Sequence, residues 1–427
     1  MRPMIDLTLP EERAFLIALD DPRNGRWPVA RSLAELAALA ETAGATIVGS
    51  AFQRRPAPDP LWYFGKGRAA ELVDEKAAHG FNLLVVDDEL RPNQQRNLEK
   101  LLDCKVLDRS ALIIDIFARH ATTHEGRLQV ELAALEYHLP RLTRMWTHLS
   151  RTGGGIGTRG PGETQLETDR RLIGERIKKL KGELKAVKRH RSTSARRREE
   201  NEVASVALVG YTNAGKSTLL NVLAGADLFA ADMLFATLDP TSRSVALPSG
   251  QQVVVTDTVG FINKLPHDLV DAFRATLEEV LRADLLLEVV DAADSNFVAQ
   301  QEAVQQVLDE LGAGAKPRIT VFNKVDLLDA DLVEAPVDER VAFVSATSGQ
   351  GIERLLELIA GALRAQMVAV DSVVPWDRGE LVARARAAGD VDEGYTDAGV
   401  RLSGHLPAGI AGEIAAAANR RRADRSA

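Results

Sequence analysis

At 427 residues the chain is too long for one hydrophobic core, so two to four domains are expected. Its 45% hydrophobic and 27% charged residues are the balance of an ordinary globular protein, and a single cysteine, Cys104, excludes an intramolecular disulfide and fits a reducing compartment. No apolar run approaches the roughly 20 residues that span a bilayer, and the N-terminal stretch carries acids where a signal sequence carries bases, so a cytoplasmic protein is expected, with peripheral attachment to a membrane left open.

Residues 1–120 read as one unit. Strand-like runs at Phe15–Ala18, Ala45–Gly49 and Leu83–Val86 alternate with helical patterns at Ser32–Glu41, Arg68–Lys76 and Pro92–Leu102. That alternation predicts a small α/β domain with a mainly parallel sheet. Tyr63-Phe-Gly-Lys-Gly67, ahead of a helix, has the composition of an anion loop, but the pattern is too loose and a structural loop is the plainer reading. Arg91, Gln94, Gln95 and Arg96 are candidates to face a partner.

Residues 121–200 carry a different pattern. Leu128, Leu132, Leu135, Leu139, Leu142, Trp146 and Leu149 alternate spacings of four and three, and Leu166, Ile173, Ile177, Leu180, Leu184 and Val187 keep the same frame. Two such stretches joined by a loop predict an antiparallel coiled-coil hairpin, with Pro140 kinking or breaking the first arm. Arms of about 20 residues would each reach roughly 30 Å. Between Arg170 and Glu200 thirteen Lys/Arg stand against four Asp/Glu, a local +9 in a chain whose net charge is −8, leaving −17 for the rest. A basic stripe inside an acidic protein points to a polyanion, most readily nucleic acid, although a charge run alone is more often a solvated helix face. The connecting loop, Arg151 to Glu163, holds six glycines and two arginines and little that builds a core. Such low complexity usually marks a flexible linker; at the tip of a stiff basic arm it also suits close approach to a phosphate-lined surface.

Residues 203–366 hold five short motifs in one order: Gly210-Tyr-Thr-Asn-Ala-Gly-Lys-Ser217, Thr237, Asp257-Thr-Val-Gly260, Asn323-Lys-Val-Asp326 and Ser345-Ala-Thr347. The apolar run Ser205–Val209 ends at Gly210, and an apolar-periodic helix starts at Ser217. Glycines between strand and helix let backbone N–H groups wrap phosphates, with Gly210, Tyr211, Thr212, Asn213, Ala214 and Gly215 forming the cradle. Lys216 is placed to reach the β- and γ-phosphates, and Ser217 to put its hydroxyl on Mg²⁺. Asn323, Lys324, Val325 and Asp326 follow the strand-like Arg318–Phe322, at the strand end where α/β sheets seat ligands. A carboxylate at Asp326 accepts from guanine N1–H and the N2 amine, donors that adenine does not offer, so the ligand expected is GTP or GDP, not ATP. Ser345, Ala346 and Thr347, after the strand-like Val341–Val344, are accepted for their place in the order.

Asp257 is expected to hold Mg²⁺ through water, and Gly260 to offer its N–H to the γ-phosphate, with Thr258 and Val259 between them. In Phe235-Ala236-Thr237-Leu238-Asp239, Thr237 is the choice for the second Mg²⁺ hydroxyl, ahead of Thr241. Loops ordered by GTP and loosened after hydrolysis make such a site a switch. Many small GTPases carry a Gln after Asp-x-x-Gly to orient the attacking water; here Phe261 follows, so no catalytic residue is assigned beyond the charge on Lys216. Slow intrinsic hydrolysis is expected, with groups brought by a partner, a rearranged loop or a cation. In similar potassium-dependent GTPases an Asn at the place of Asn213 holds K⁺; the plainer alternative is that Asn213 stiffens the loop. Residues 367–427 read as a small α+β domain ending in a basic stretch, without an interpretable motif.

Gly210–Ser217, Phe235–Asp239, Asp257–Phe261 and Leu265-Pro-His-Asp-Leu resemble the HflX family. So do Tyr63–Gly67, Arg91-Pro-Asn-Gln-Gln, Leu135-Glu-Tyr-His-Leu-Pro, and Gly153–Arg159 with Gly162-Glu-Thr-Gln-Leu-Glu-Thr-Asp169. The resemblance runs from about residue 10 to the C-terminus. It implies a multidomain α/β protein: a small N-terminal α/β domain, an antiparallel helical hairpin, a P-loop GTPase domain with a mainly parallel sheet and helices on both faces, and a small α+β C-terminal domain. It implies a ribosome-associated GTPase that binds the large ribosomal subunit and promotes ribosome dissociation or rescue under stress. Arg151, Gly153, Gly154, Gly155, Arg159, Gly160 and Gly162 would then lie nearest the rRNA, close to the peptidyl-transferase region. Phe261 would be the family's normal state, with hydrolysis stimulated by the ribosome. A monomer with Mg²⁺ and K⁺ as cofactors is expected; some members also bind ATP through the N-terminal part and remodel RNA. The rival from another class is an rRNA-binding assembly scaffold.

Overall fold

The computed structural model describes residues 11–21, 27–142, 161–200, 203–226, 234–235, 237–264, 274–328 and 338–426, with backbone alone for 161–166, 188–200, 274–276 and 419–426. The chain divides into two compact units, one of 1–184 with 264–273, the other of 185–263 with 274–427.

The first unit is built on four parallel strands, β1 (Arg13–Asp20), β2 (Thr46–Arg54), β3 (Leu83–Val86) and β4 (Lys105–Asp108), in the order β2-β1-β3-β4. Helices α1 (Val29–Thr42), α2 (Lys66–His79) and α3 (Pro92–Leu102) make the crossovers. The three anticipated strands are present; β4 and the following α4 (Arg109–His120) were not anticipated. β4 is four residues with charged ends, and α4 buries Ala111, Leu112, Ile113, Ile114, Ile116 and Phe117 while exposing only the narrow stripe Asp115, Ala118 and Arg119.

Two of the candidate partner-facing residues turn inward. Gln94 is buried, accepts from the Arg91 N–H at 2.8 Å and donates to Asp59 O at 2.6 Å. Gln95 donates to Val106 O at 2.9 Å, so it ties α3 to β4, while Arg91 is exposed. The Tyr63–Gly67 loop is structural: Tyr63 and Phe64 are buried, the Tyr63 hydroxyl donates to Asp88, and Gly65 N–H donates to Gln53 at 2.8 Å. Buried Asp87 is held by Ser32 at 2.6 Å, Arg109 at 2.9 Å and Lys264 at 2.5 Å, so its charge is amply compensated.

Helix α5 (His124–His138) opens with the Thr123 hydroxyl accepting from Gly126 N–H at 2.9 Å. It gives way at Pro140 to a 3₁₀ turn, Leu139–Leu142, the break the proline predicts. Leu128 and Leu132 bury against Leu180 of α6 (Pro161–Glu200), flanked by Leu135, Ile177 and Leu184, so the leucine frame does form a seam. Its direction differs from expectation. Glu131 pairs with Arg176 at 2.7 Å and Glu136 with Lys181 at 2.7 Å, steps in the same sense along both helices, so α5 lies parallel to α6. Apolar spacing selects the contact face but is silent on direction, and the expected return arm through Trp146 and Leu149 lies outside the described residues.

The second unit carries a six-stranded sheet, β10-β9-β8-β5-β7-β6. Its strands are β5 (Ser205–Gly210), β6 (Thr241–Ala246), β7 (Gln252–Asp257), β8 (Leu285–Asp291), β9 (Arg318–Asn323) and β10 (Val341–Phe343). All are parallel except β6, which runs antiparallel to β7. Helices α7 (Lys216–Leu223), α8 (Arg274–Arg282), α9 (Phe297–Leu311) and α10 (Ile352–Arg364) accompany it. Val206, Leu208, Val255, Leu287, Val289, Ile319 and Val321 put β-branched and leucine side chains into its core, the near-continuous apolar runs of a sheet covered on both faces.

In the same unit follows an antiparallel sheet, β11 (Val368–Val374), β13 (Gly399–Leu406) and β12 (Asp390–Thr396). Helices α11 (Gly379–Ala388) and α12 (Ala408–Ser426) pack on it around Val374, Ala385, Leu402, Leu406, Ile410 and Ile414. This is the expected α+β arrangement. Among the described residues no helix is long and apolar enough to cross a membrane.

Candidate functional site

The site grows from the C-terminal ends of β5, β7 and β9. β5 stops at Gly210, whose φ of 151° and close approach to β8 leave room for hydrogen alone: a Cβ would lie 2.2 Å from Val289 O. The chain turns through Tyr211, Thr212, Asn213 and Ala214 and enters α7 at Gly215, left-handed at φ 90°. Asn213 is exposed and also left-handed, at φ 61°, a conformation Asn tolerates better than most residues.

The loop is tied back at both ends. Thr212 N–H donates to Phe261 O at 2.7 Å, and Phe261 N–H donates to Gly210 O at 3.1 Å. Asn323 at the end of β9 donates through Nδ2 to Ala214 O at 2.9 Å and accepts through Oδ1 from Ala346 N–H at 3.0 Å. One buried amide thus links the first, fourth and fifth motifs. A Cβ on Gly215 would lie 2.3 Å from that Nδ2, so glycine here permits the tie.

Lys216 is buried, and its ammonium donates to Tyr211 O at 2.8 Å and Gly210 O at 3.2 Å. Burial pulls its pKa down to about 8, against the opposing pull of the Asp257 carboxylate. Burial likewise pushes Asp257 up, opposed chiefly by Lys216. The Ser217 hydroxyl donates to Asp257 Oδ2 at 2.6 Å and lies 2.7 Å from Thr237 Oγ1. Three motifs therefore meet in one polar cluster. Asp257 Oδ1 is buried without a hydrogen-bond partner. A buried carboxylate oxygen left open beside two hydroxyls is a donor set that fits a hard, oxygen-preferring cation such as Mg²⁺. Thr241, the runner-up, is exposed at the start of β6.

Around the cluster, Thr258 is buried and donates to Leu208 O at 2.6 Å, and Val259 is buried. Gly260 passes so near the phosphate loop that a Cβ would lie 2.8 Å from Thr212 Cα and 3.1 Å from Lys216 Nζ. Phe261 is wholly buried and forms an isolated parallel bridge with Tyr211. Its ring is core, and its backbone couples the Asp-x-x-Gly turn to the phosphate loop. Sequence reasoning registered only what Phe261 cannot do. Phe235 and Leu238 are buried, with Phe235 N–H donating to the Thr212 hydroxyl at 3.2 Å. Ala236 lies outside the described residues.

At the base-reading end, Lys324 is left-handed at φ 63° and its ammonium pairs with Asp291 at 2.8 Å. Asp291, at the end of β8, has no motif around it and was not anticipated. Val325 is buried, while Asp326 is exposed in the 3₁₀ turn Val325–Leu327. Buried Ser345 accepts from Ser348 N–H at 3.1 Å, and Thr347 is exposed. Gly351, also unanticipated, takes φ 75° where a Cβ would lie 2.1 Å from Phe343 O, closing the turn after Ser345–Thr347. Arg151, Gly153, Gly154, Gly155, Arg159 and Gly160 lie outside the described residues, and Gly162 sits in the first turn of α6.

Comparison with known proteins agrees along the length of the chain. Residues 30–118 match the family described as GTP-binding GTPase N-terminal, 120–198 the GTP-binding GTPase Middle Region, and 205–324 the 50S ribosome-binding GTPase. The chain is similar to the GTPase HflX of Lacrimispora saccharolytica, 45% identical over 420 residues that cover 97% of this chain and 98% of that one. It is also 45% identical to the GTPase HflX of Escherichia coli K12 over 357 residues, 82% of this chain and 84% of that one. Among solved structures, the complex of SsGBP with GDP is 25% identical, covers 82% of this chain and 97% of its own, and superposes with a TM-score of 0.46.

Proposed function

The chain belongs to the HflX family of GTPases, and from that premise we propose that it is a cytoplasmic, nucleotide-gated binder of the large ribosomal subunit that promotes ribosome dissociation or rescue under stress. It binds guanine nucleotide and hydrolyses GTP, as its family does. The division of labour in this proposal assigns docking to 1–120 and 121–200, nucleotide binding to 203–366, and a small C-terminal domain to 367–427.

In this reading Gly210–Ser217 cradles the phosphates, with Lys216 supplying the charge that neutralises the transition state. Gly260 N–H faces the γ-phosphate. Asp326 reads the guanine edge while Asn323 holds the base loop against the phosphate loop. Ser217, Thr237 and Asp257 would hold Mg²⁺, which neutralises phosphate charge when bound; Asn213 is the K⁺ ligand. Arg151, the tip glycines 153–155, Arg159, Gly160 and Gly162 lie against rRNA. The protein acts as a monomer.

The observation that carries the gating is the meeting of Thr237 and Asp257 at Ser217. Two loops from separate motifs share one hydroxyl, so a ligand that orders one orders the other. Such a ligand shifts ribosome affinity only by its differential affinity for the two loop states. Phe261, buried and apolar, orients no water, so hydrolysis is slow until the ribosome supplies the missing group. Cleavage then releases the protein, and binding, not hydrolysis, drives the subunits apart.

Co-sedimentation with purified large subunits tests the gating. A non-hydrolysable GTP analogue is expected to retain the protein on the subunit about tenfold better than GDP, a difference of about 1.4 kcal/mol. Equal retention with analogue, with GDP and without nucleotide would favour the rRNA-binding scaffold, with the exposed Arg170, Arg171 and Lys178 of α6 as its cations.

A further inference from the structure

We infer that the C-terminal sheet carries a docking platform for a cationic protein segment, centred on Trp376 and Tyr395. These are large side chains left in the open: Trp376 is 57% exposed and Tyr395 72% exposed. Their rings lie nearly parallel, 5° apart in plane, with centroids 6.2 Å apart. Scattered exposed apolar residues need no explanation, but two aromatic faces stacked together on the surface form a patch that a partner can cover.

The platform is rigidly framed. Trp376 opens the 3₁₀ turn Trp376–Arg378 ahead of α11, directly after β11. Tyr395 stands near the end of β12, at the hairpin into β13. That hairpin is closed by Gly399, at φ 148°, where a Cβ would lie 2.0 Å from Val374 O, so the turn packs directly on the end of β11. Arg386 of α11 grips Glu393 with two bonds of 2.8 and 2.7 Å, clamping helix to strand one position from the Tyr395 neighbour Gly394. Both rings are therefore presented by a fixed scaffold, which lowers the entropic cost of binding.

Charge decides what kind of partner fits. Exposed aromatic pairs that stack nucleic-acid bases work beside basic residues that hold the phosphates. Here residues 367–400 contain seven carboxylates against three arginines. Arg386 is held by Glu393 and Arg384 by Glu413. Asp371 and Asp390 are held by Arg401 and Arg364. Asp377, Glu380 and Asp397 are exposed, with Arg378 as the cation among them, while Asp392 stands on the opposite face of β12 from Tyr395. Asp377 follows Trp376, and Asp397 lies two residues beyond Tyr395. Such surroundings repel a phosphate backbone and attract a guanidinium or ammonium group. A cation over the faces of Trp and Tyr gains from the ring quadrupoles, and flanking carboxylates add to the attraction. The occupant is thus an arginine- or lysine-bearing segment of another protein. This surface is independent of the nucleotide site.

The test titrates the full-length protein calorimetrically with a blocked octapeptide of alternating Arg and Gly, and separately with octauridylate. Peptide binding is expected to weaken at least about tenfold in the Trp376→Ala/Tyr395→Ala double variant. The Trp376→Phe/Tyr395→Phe variant keeps it, because the ring faces remain, and raising the salt weakens it. GTP turnover stays at the wild-type rate in both variants, which checks folding. Absence of peptide binding, or equal binding by the double alanine variant, would overturn the inference. So would octauridylate binding that is lost in that variant, which would assign the platform to RNA.

Discussion

Replacing Asp326 by Asn is expected to weaken GTP binding by about 10³-fold or more and to give the protein affinity for xanthosine triphosphate. Guanine presents two donors, N1–H and the N2 amine, to one carboxylate. An amide in its place offers one acceptor and one donor, so a guanine donor meets a donor. Sites built on hydrogen bonds reject a mismatched edge by about 10⁴–10⁵, because a desolvated polar group is left without a partner. Xanthine carries an acceptor where guanine carries the amine, and the asparagine N–H₂ satisfies it. The substitution leaves the loop standing. Asp326 is exposed in its 3₁₀ turn, and Asn323 keeps the loop in place through Ala214 and Ala346. Titration of the variant with both nucleotides checks the swap; unchanged GTP affinity would show that Asp326 does not read the base.

Gly210→Ala is expected to cost about 3–5 kcal/mol of stability, large for one added methyl group. Two penalties fall on the same atom. The φ of 151° is one that an L side chain rarely adopts, and the new Cβ would lie 2.2 Å from Val289 O. That oxygen belongs to the backbone of β8, which pairs with β5 at Gly210↔Val289, so relief requires moving a central strand. Gly250→Ala is the control. Its φ of 86° is also left-handed, but no atom lies within 4 Å of the new Cβ, so about 1–2 kcal/mol of backbone strain is expected there. Urea unfolding of both variants separates the two contributions. Equal losses would mean that the strand contact at Val289 carries no weight.

The nucleotide site was largely legible because its chemistry demands particular residues at particular separations. A phosphate cradle needs glycines between strand and helix, and a guanine reader needs a carboxylate just past a strand end. Both constraints act within a few residues of sequence. What escaped depends on chain segments far apart. Phe261 reads as a missing glutamine, yet its place in the core and its bridge to Tyr211 follow from the pairing of distant turns. Asp291 matters through Lys324, its partner across the sheet. Thr237, by contrast, was chosen from the sequence ahead of Thr241, and the packing seats its hydroxyl beside Ser217.

In the first unit the strands Phe15–Ala18 and Leu83–Val86 announced themselves as apolar runs, whereas α4 shows only a narrow exposed stripe at Asp115, Ala118 and Arg119 beside a wide buried face. The leucine frame of α5 and α6 named the seam residues but not their relative direction, which the pairs Glu131–Arg176 and Glu136–Lys181 reveal. Polar side chains were the hardest to assign. Gln94 looks partner-facing in sequence, but it is buried because the Asp59 carbonyl needs a donor.

GTP turnover with and without purified large ribosomal subunits, in KCl and in NaCl, tests the central claim most directly. With Phe261 buried and no glutamine to position water, the isolated protein should turn over slowly. Subunits should raise the rate on the order of 10²-fold or more, approaching the roughly 10³–10⁵ that a partner-supplied catalytic group provides. A rise confined to KCl would give Asn213 its cation. A rate unchanged by subunits in both salts would contradict a ribosome-gated switch and leave the chain as an RNA binder whose nucleotide site works on its own.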